Sequence, residues 1–150
     1  MIERILVVCE GNLCRSPIAQ GLLRREMADT VVASAGLSAV AGTAIDPVAA
    51  SLLAARGIDM SAHRARRLDE RMCRVADLIL VMELAQQHAI ERFYPIARGR
   101  VYRLAEAYPT DVPDPYGRPH RSYEYALTLI DHGVQDWTRR IASLARSSRY

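Results

Sequence analysis

Lysine is absent: all 20 basic residues of this 150-residue chain are arginine. They are spread along the chain rather than gathered in one patch, so a net charge of +3 permits an acidic or phosphorylated partner but does not point to nucleic acid. Cysteine is scarce. Cys9, Cys14 and Cys73 are an odd number, which argues against a structural disulfide framework. Metal binding is not expected either, because Cys9 and Cys14 lack a second close Cys/His pair. No apolar run approaches the roughly 20 residues of a membrane helix, so no membrane insertion is expected. The opening "MIERILVV" has no basic segment followed by a long apolar one, so no signal peptide is read and the cytoplasm is the expected compartment.

What is present reads as one globular domain over residues 1–150, half hydrophobic and a quarter charged. Ile5 to Val8 form a continuous apolar run, the mark of a strand covered on both faces. Ser16 and Pro17 suit the cap and first turn of a helix whose apolar face is Ile18, Leu22, Leu23 and Met27. "TVVASAG" reads as a second strand, and "DPVAASLLAARG" as a helix opened by Asp46-Pro47. "SAHRARRLDERMCRVA" is a helical region starting near Ser61 or Leu68, with Arg64, Arg66 and Arg67 on a solvated face. "DLILVM" is a strand, "ELAQQHAIERFY" a helix and "RVYRL" a short strand. "YPTDVPDPYGRPH" is a long loop, and a last helix runs from about Ser122 to Ala145. Alternating strands and helices imply a doubly wound parallel α/β sheet, which binds ligands beyond the carboxyl ends of its strands.

Cys9 stands at such an end. The loop Cys9-Glu10-Gly11-Asn12-Leu13-Cys14-Arg15-Ser16 curls from strand to helix and can point its N–H groups at an anion. Gly11 permits a positive φ where the loop turns, and Asn12 tolerates the left-handed region as well. Arg15 offers a planar fork for two phosphate oxygens, and the same positive field favours a thiolate at Cys9. The loop is neither G-x-G-x-x-G nor a loop ending in Gly-Lys-Ser/Thr. A thiolate beneath a bound phosphate is an in-line nucleophile, and it needs a proton donor for the leaving oxygen. Asp114, in the rigid turn Asp114-Pro115-Tyr116-Gly117, can supply one; Asp111 reads as a turn residue.

Cys9-x5-Arg15-Ser16-Pro17, the late Asp114-Pro115-Tyr116, "SAG" at 34–36 and "GIDMSAHRARRL" at 57–68 together resemble the low-molecular-weight protein tyrosine phosphatases, of bacterial type, over nearly the whole chain. The resemblance implies a four-stranded parallel sheet with helices on both faces, in a flavodoxin-like three-layer arrangement. It implies that Cys9 forms a phosphocysteine, that Arg15 clamps the phosphate and that Ser16 donates to the thiolate. Asp114 would protonate the leaving tyrosine and then activate water. Asn12, Ser34 and His63 would support the loop, with no metal or organic cofactor. Cys14 would capture oxidised Cys9 as a reversible disulfide. Glu10 and Leu13 would wall the phosphate site, joined by Val40 and Tyr116 as substrate walls. An acidic Glu10 departs from an often apolar wall, and Gly117 replaces a second aromatic of eukaryotic members. The implied partner is a tyrosine-phosphorylated protein, with a bacterial tyrosine kinase of exopolysaccharide or capsule export as the family pairing.

Three other functions compete. An arsenate reductase needs two further relay cysteines, and only Cys73 lies outside the loop. Enzymes acting on phosphoarginine place a small threonine where Leu13 stands. A non-catalytic phosphate-binding module needs neither Cys9 nor Asp114.

Overall fold

The computed structural model describes residues 1–147; the end of the domain read over 1–150 lies outside the described residues. Its strands are β1 (Arg4–Cys9), β2 (Val31–Gly36), β3 (Leu78–Val81) and β4 (Val101–Arg103). The helices are α1 (Arg15–Glu26), α2 (Pro47–Ala54), α3 (Glu70–Val75), α4 (Leu84–Phe93) and α5 (His120–Ser147), with a 3-10 turn at Pro95–Ala97. The strands pair in parallel in the order β2-β1-β3-β4, as expected for a doubly wound α/β fold.

Strand period divides the core in two. Ile5, Val7 and Cys9 pack with α1, α2 and α5, whereas Leu6 and Val8 pack with Cys73 of α3 and Ile90 of α4. The chain returns past β1 to form β3, so the strand order reverses between β1 and β3. The crevice of such a fold opens there, beyond Cys9 and Val81.

Of the two starts read for this helix, Ser61 and Leu68, the later lies near the observed one: the helix forms from Glu70, with Asp69 as its cap. Residues 61–68 are instead extended pieces bound to the loops above β2. Ala65 N–H donates to Thr43 O, Gly36 N–H to Arg66 O and Leu68 N–H to Gly36 O. Tertiary pairing takes the backbone groups that a helix would have used, so Arg64, Arg66 and Arg67 sit on this segment and not on a helix face. The last helix begins at His120, two residues before the expected start, and continues to Ser147.

α5 comes so close to the chain after β4 that a Cβ on Gly133 would lie 2.8 Å from Leu104 Cγ and Leu104 O. Trp137 Nε1–H donates to Leu104 O at 3.0 Å. The proline-rich loop is then pinned at two points. Val112 N–H donates to Met82 O at 2.8 Å, and Asp111 Oδ1 accepts from Leu84 N–H at 2.9 Å and Arg103 Nη1 at 3.1 Å. Asp111 is thus more than a turn residue: it fastens the loop to β4 and α4, and Asp114 follows three residues later.

Candidate active site

The 9–16 loop joins β1 to α1 over the sheet switch point. Cys14, not Ser16, is the residue before the first helical turn, and Arg15, Ser16 and Pro17 lie inside that turn. Ser16 is therefore free of capping, and its hydroxyl lies 3.0 Å from Cys9 Sγ. Asn12 N–H donates to the same sulfur at 3.3 Å. The positive φ of the loop falls on Asn12, at 57°, and not on Gly11. Asparagine tolerates this region, and here its side chain has a task that glycine could not perform.

That side chain is completely buried. Asn12 Oδ1 accepts from the backbone N–H of Arg66 at 2.9 Å. Its two amide hydrogens then point to Ser16 Oγ, at 2.7 Å, and Ser34 Oγ, at 2.9 Å. Both serines accept from Asn12. Ser34 passes its own hydrogen to Gln20 Oε1 at 2.6 Å, which leaves the Ser16 hydrogen to face Cys9 Sγ. His63 Nε2 bonds Asn12 O at 2.8 Å and holds the loop from the 61–68 segment. Burial lowers the pKa of His63, assisted by the charges of Arg24, Arg64 and Arg66, so the neutral ring with hydrogen on Nε2 fits this bond.

Gly36 makes the close approach possible. A Cβ there would stand 2.7 Å from Glu10 O and 2.9 Å from Asn12 N, so only glycine lets β2 lie against the loop. Glu10 points outward and accepts from Ser38 Oγ at 2.7 Å. Leu13 is partly buried beside the core, and Val40 and Tyr116 leave most of their surface exposed.

Arg15 is only 2 % exposed, unusual for an arginine, and it is paired. Nη1 donates to Glu83, at the start of α4, and to Val112 O at 2.9 Å; Nη2 lies 3.7 Å from Asp114 Oδ2. Glu83 was not read from the sequence, nor was Gln20. Neither stands in a motif, and each gains its role only when strands distant in sequence become neighbours. The same holds for the group around Cys14, where the buried Tyr123 and the Asp46 carboxylate act on one another and on the Cys14 thiol. Asp46 also caps α2 through Val48 and Ala49 N–H, each at 3.1 Å. Burial pushes the Cys14 thiol far up, with the carboxylates of Asp46 and Asp114 adding to the effect, so Cys14 is held as a neutral thiol. Cys73 lies in the core of the opposite face, its thiol pushed up by burial to about 11. All three cysteines are free.

A sulfur at a strand end, loop N–H groups around it, a buried arginine and a carboxyl group across the mouth define a phosphatase site on an α/β frame. Residues 4–149 match the low molecular weight phosphotyrosine protein phosphatase family. The chain is 46% identical over 144 residues to the probable low molecular weight protein-tyrosine-phosphatase EpsP of Ralstonia nicotianae, covering 96% of this chain and 99% of that one. The crystal structure of the tyrosine phosphatase Wzb from Escherichia coli, in complex with sulphate, superposes with a TM-score of 0.90 at 31% identity, covering 94% of this chain and 99% of Wzb. The YwlE arginine phosphatase from Geobacillus stearothermophilus also gives 0.90, at 28% identity, covering 97% of this chain and 96% of YwlE. The chain belongs to the low molecular weight phosphotyrosine protein phosphatase family and is an enzyme of the tyrosine phosphatase class.

Proposed function

We propose that this enzyme hydrolyses phosphotyrosine in proteins through a phosphocysteine, as a cytoplasmic counterpart to a tyrosine kinase of exopolysaccharide or capsule export. The observation that carries the chemistry is the environment of Cys9 Sγ, which accepts from Asn12 N–H and faces the directed hydrogen of Ser16. Such donors favour a thiolate both as nucleophile and as leaving group. Kinship with EpsP and Wzb supports tyrosine as substrate and the export setting.

In the first step the Cys9 thiolate attacks phosphorus, the bond to the tyrosine oxygen breaks, and the Asp114 carboxyl group gives that oxygen its proton. Arg15 and the loop N–H groups hold the phosphate oxygens as charge spreads over them. In the second step the Asp114 carboxylate takes a proton from water. The water oxygen attacks phosphorus, the S–P bond breaks, and phosphate leaves with the thiolate restored.

Likeness to YwlE favours a second reading, phosphoarginine hydrolysis. Leu13 weighs against it, since a bulky side chain beside the site suits a flat phenyl ring better than a branched guanidinium.

The test is turnover of p-nitrophenyl phosphate with chelator present, followed by competition between phosphotyrosine and phosphoarginine peptides. The proposal expects no activity from Cys9→Ser, a loss of roughly 10²–10⁴-fold for Asp114→Ala and preference for the phosphotyrosine peptide. Full activity in Cys9→Ser would overturn the mechanism, and preference for phosphoarginine would overturn the substrate.

A further inference from the structure

On the Asp114 side of the phosphate loop a groove of about 810 Å³ runs between residues 111–115 and the first turns of α5. It shares Glu83 and Asp114 with the active site, so it opens directly onto the arginine clamp. Five charged side chains line it, and the two signs differ in how they are engaged. Glu83 is taken by Arg15, and Asp111 by Arg103 and Leu84 N–H. Asp114 accepts from Tyr116 N–H through Oδ1 and turns Oδ2 toward Arg15. Arg118 and Arg121, by contrast, are exposed and have no acidic partner among the described residues. Glu124, the acid nearest Arg121 in sequence, is occupied by His120 at 3.2 Å.

Both arginines stand on fixed backbone. Arg118 closes a turn in which its N–H donates to Pro115 O at 2.9 Å, and Gly117 supplies the positive φ, 72°, required at the third position of a type II turn. Arg121 lies in the first turn of α5, and Ser122 and Tyr125 follow on the wall of the groove. Tyr125 keeps 57% of its surface exposed, an aromatic face with no partner ring among the described residues.

We infer that this groove is an accessory subsite for a second anion on the substrate, a phosphate or carboxylate borne by a residue flanking the phosphotyrosine. The inference rests on the phosphatase reading above and names the substrate class: segments that carry more than one phosphotyrosine, or acidic residues beside the target tyrosine. Two guanidinium forks suit a planar carboxylate or a phosphate, and their exposure makes them a rim that selects and steers. The Tyr125 ring can lie against an aromatic residue that bears the second phosphate.

The experiment compares kcat/KM for four peptides with one target phosphotyrosine, flanked by a second phosphotyrosine, by glutamates, by serines or by arginines. The wild type is set against the double variant Arg118→Ala/Arg121→Ala and its charge-reversed form Arg118→Glu/Arg121→Glu. The expected result is a wild-type preference for anionic over serine peptides of roughly 3- to 20-fold, the sum of two exposed ion pairs. The alanine pair abolishes that preference, and the glutamate pair inverts it in favour of the arginine peptide. A gain with both anionic peptides assigns the groove to any anion; a gain with the doubly phosphorylated peptide alone assigns it to phosphate. Equal rates on all four peptides, or a preference that survives in the alanine pair, would overturn the inference. Hydrolysis of p-nitrophenyl phosphate separates the two levels. If it is normal in every variant, a failed peptide preference counts against the groove alone; if the wild type itself lacks it, the phosphatase reading fails.

Discussion

The backbone N–H of Arg66 donates to Asn12 Oδ1, and this bond sets the direction of the protons beneath Cys9. A backbone N–H can only donate, so it fixes which end of the Asn12 amide faces Ser16 and Ser34. The Ser16 hydroxyl, already accepting from Asn12, has its hydrogen left for the sulfur.

Two substitutions at Asn12 separate the side chain from the backbone. Asn12→Gly keeps the positive φ and removes the amide; kcat should fall by roughly 10- to 100-fold, the worth of a hydrogen bond to a charged group. Asn12→Ala should lose as much activity and be further destabilised by about 1–2 kcal/mol, because alanine resists the left-handed region. Urea unfolding with turnover of p-nitrophenyl phosphate measures both. Full kcat in Asn12→Gly would show that the network does not direct Ser16.

His63 gives a pH dependence of known sign. Its folded pKa is lowered by burial, so below the ordinary histidine value of about 6.5 the unfolded chain binds more protons than the folded one. Its contribution is fully present above that pH and is lost as pH falls toward the folded value. His63→Gln retains a donor without a titrating ring. The stability difference between wild type and His63→Gln, followed by chemical denaturation, should therefore shift against the wild type between pH 7.5 and 5.5. A difference independent of pH would remove His63 as the source.

The two remaining thiols should be silent. In Cys9→Ser, Cys14 is pushed far up by burial and neighbouring carboxylates, and Cys73 to about 11 by burial. At pH 8 Cys73 is then thiolate in roughly one molecule per thousand. A disulfide reagent should titrate neither thiol in the folded protein within minutes and both after denaturation. Rapid reaction of Cys14 in the folded state would contradict the burial and the neighbouring carboxylates that keep it a neutral thiol.

Local chemistry was legible where one short segment carries the whole signal. The Ile5–Val8 run marks a strand buried on both faces, Asp46-Pro47 marks a capped helix, and residues 9–16 mark the loop that joins β1 to α1. Reading failed where distant backbone intervened. Residues 61–68 have helical composition, yet their N–H and C=O groups bond to Gly36, Thr43 and Asn12. Ser16 has the chemistry of a cap, yet the helix starts two residues earlier and its hydroxyl serves Cys9.

The sequence by itself determined the parallel α/β architecture, the Cys9-to-Arg15 spacing and the family, because strand periodicity and a contiguous loop are written in adjacent residues. Only the tertiary structure decided that Glu83 and Val112 hold Arg15, that Gln20 completes the Asn12 network, that burial beside Asp46 and Asp114 keeps Cys14 a neutral thiol, and that Arg118 and Arg121 face a common groove. Each of these depends on the β2-β1-β3-β4 order, which brings segments up to about a hundred residues apart to one end of the sheet, where pairing and burial rather than local preference choose the partners.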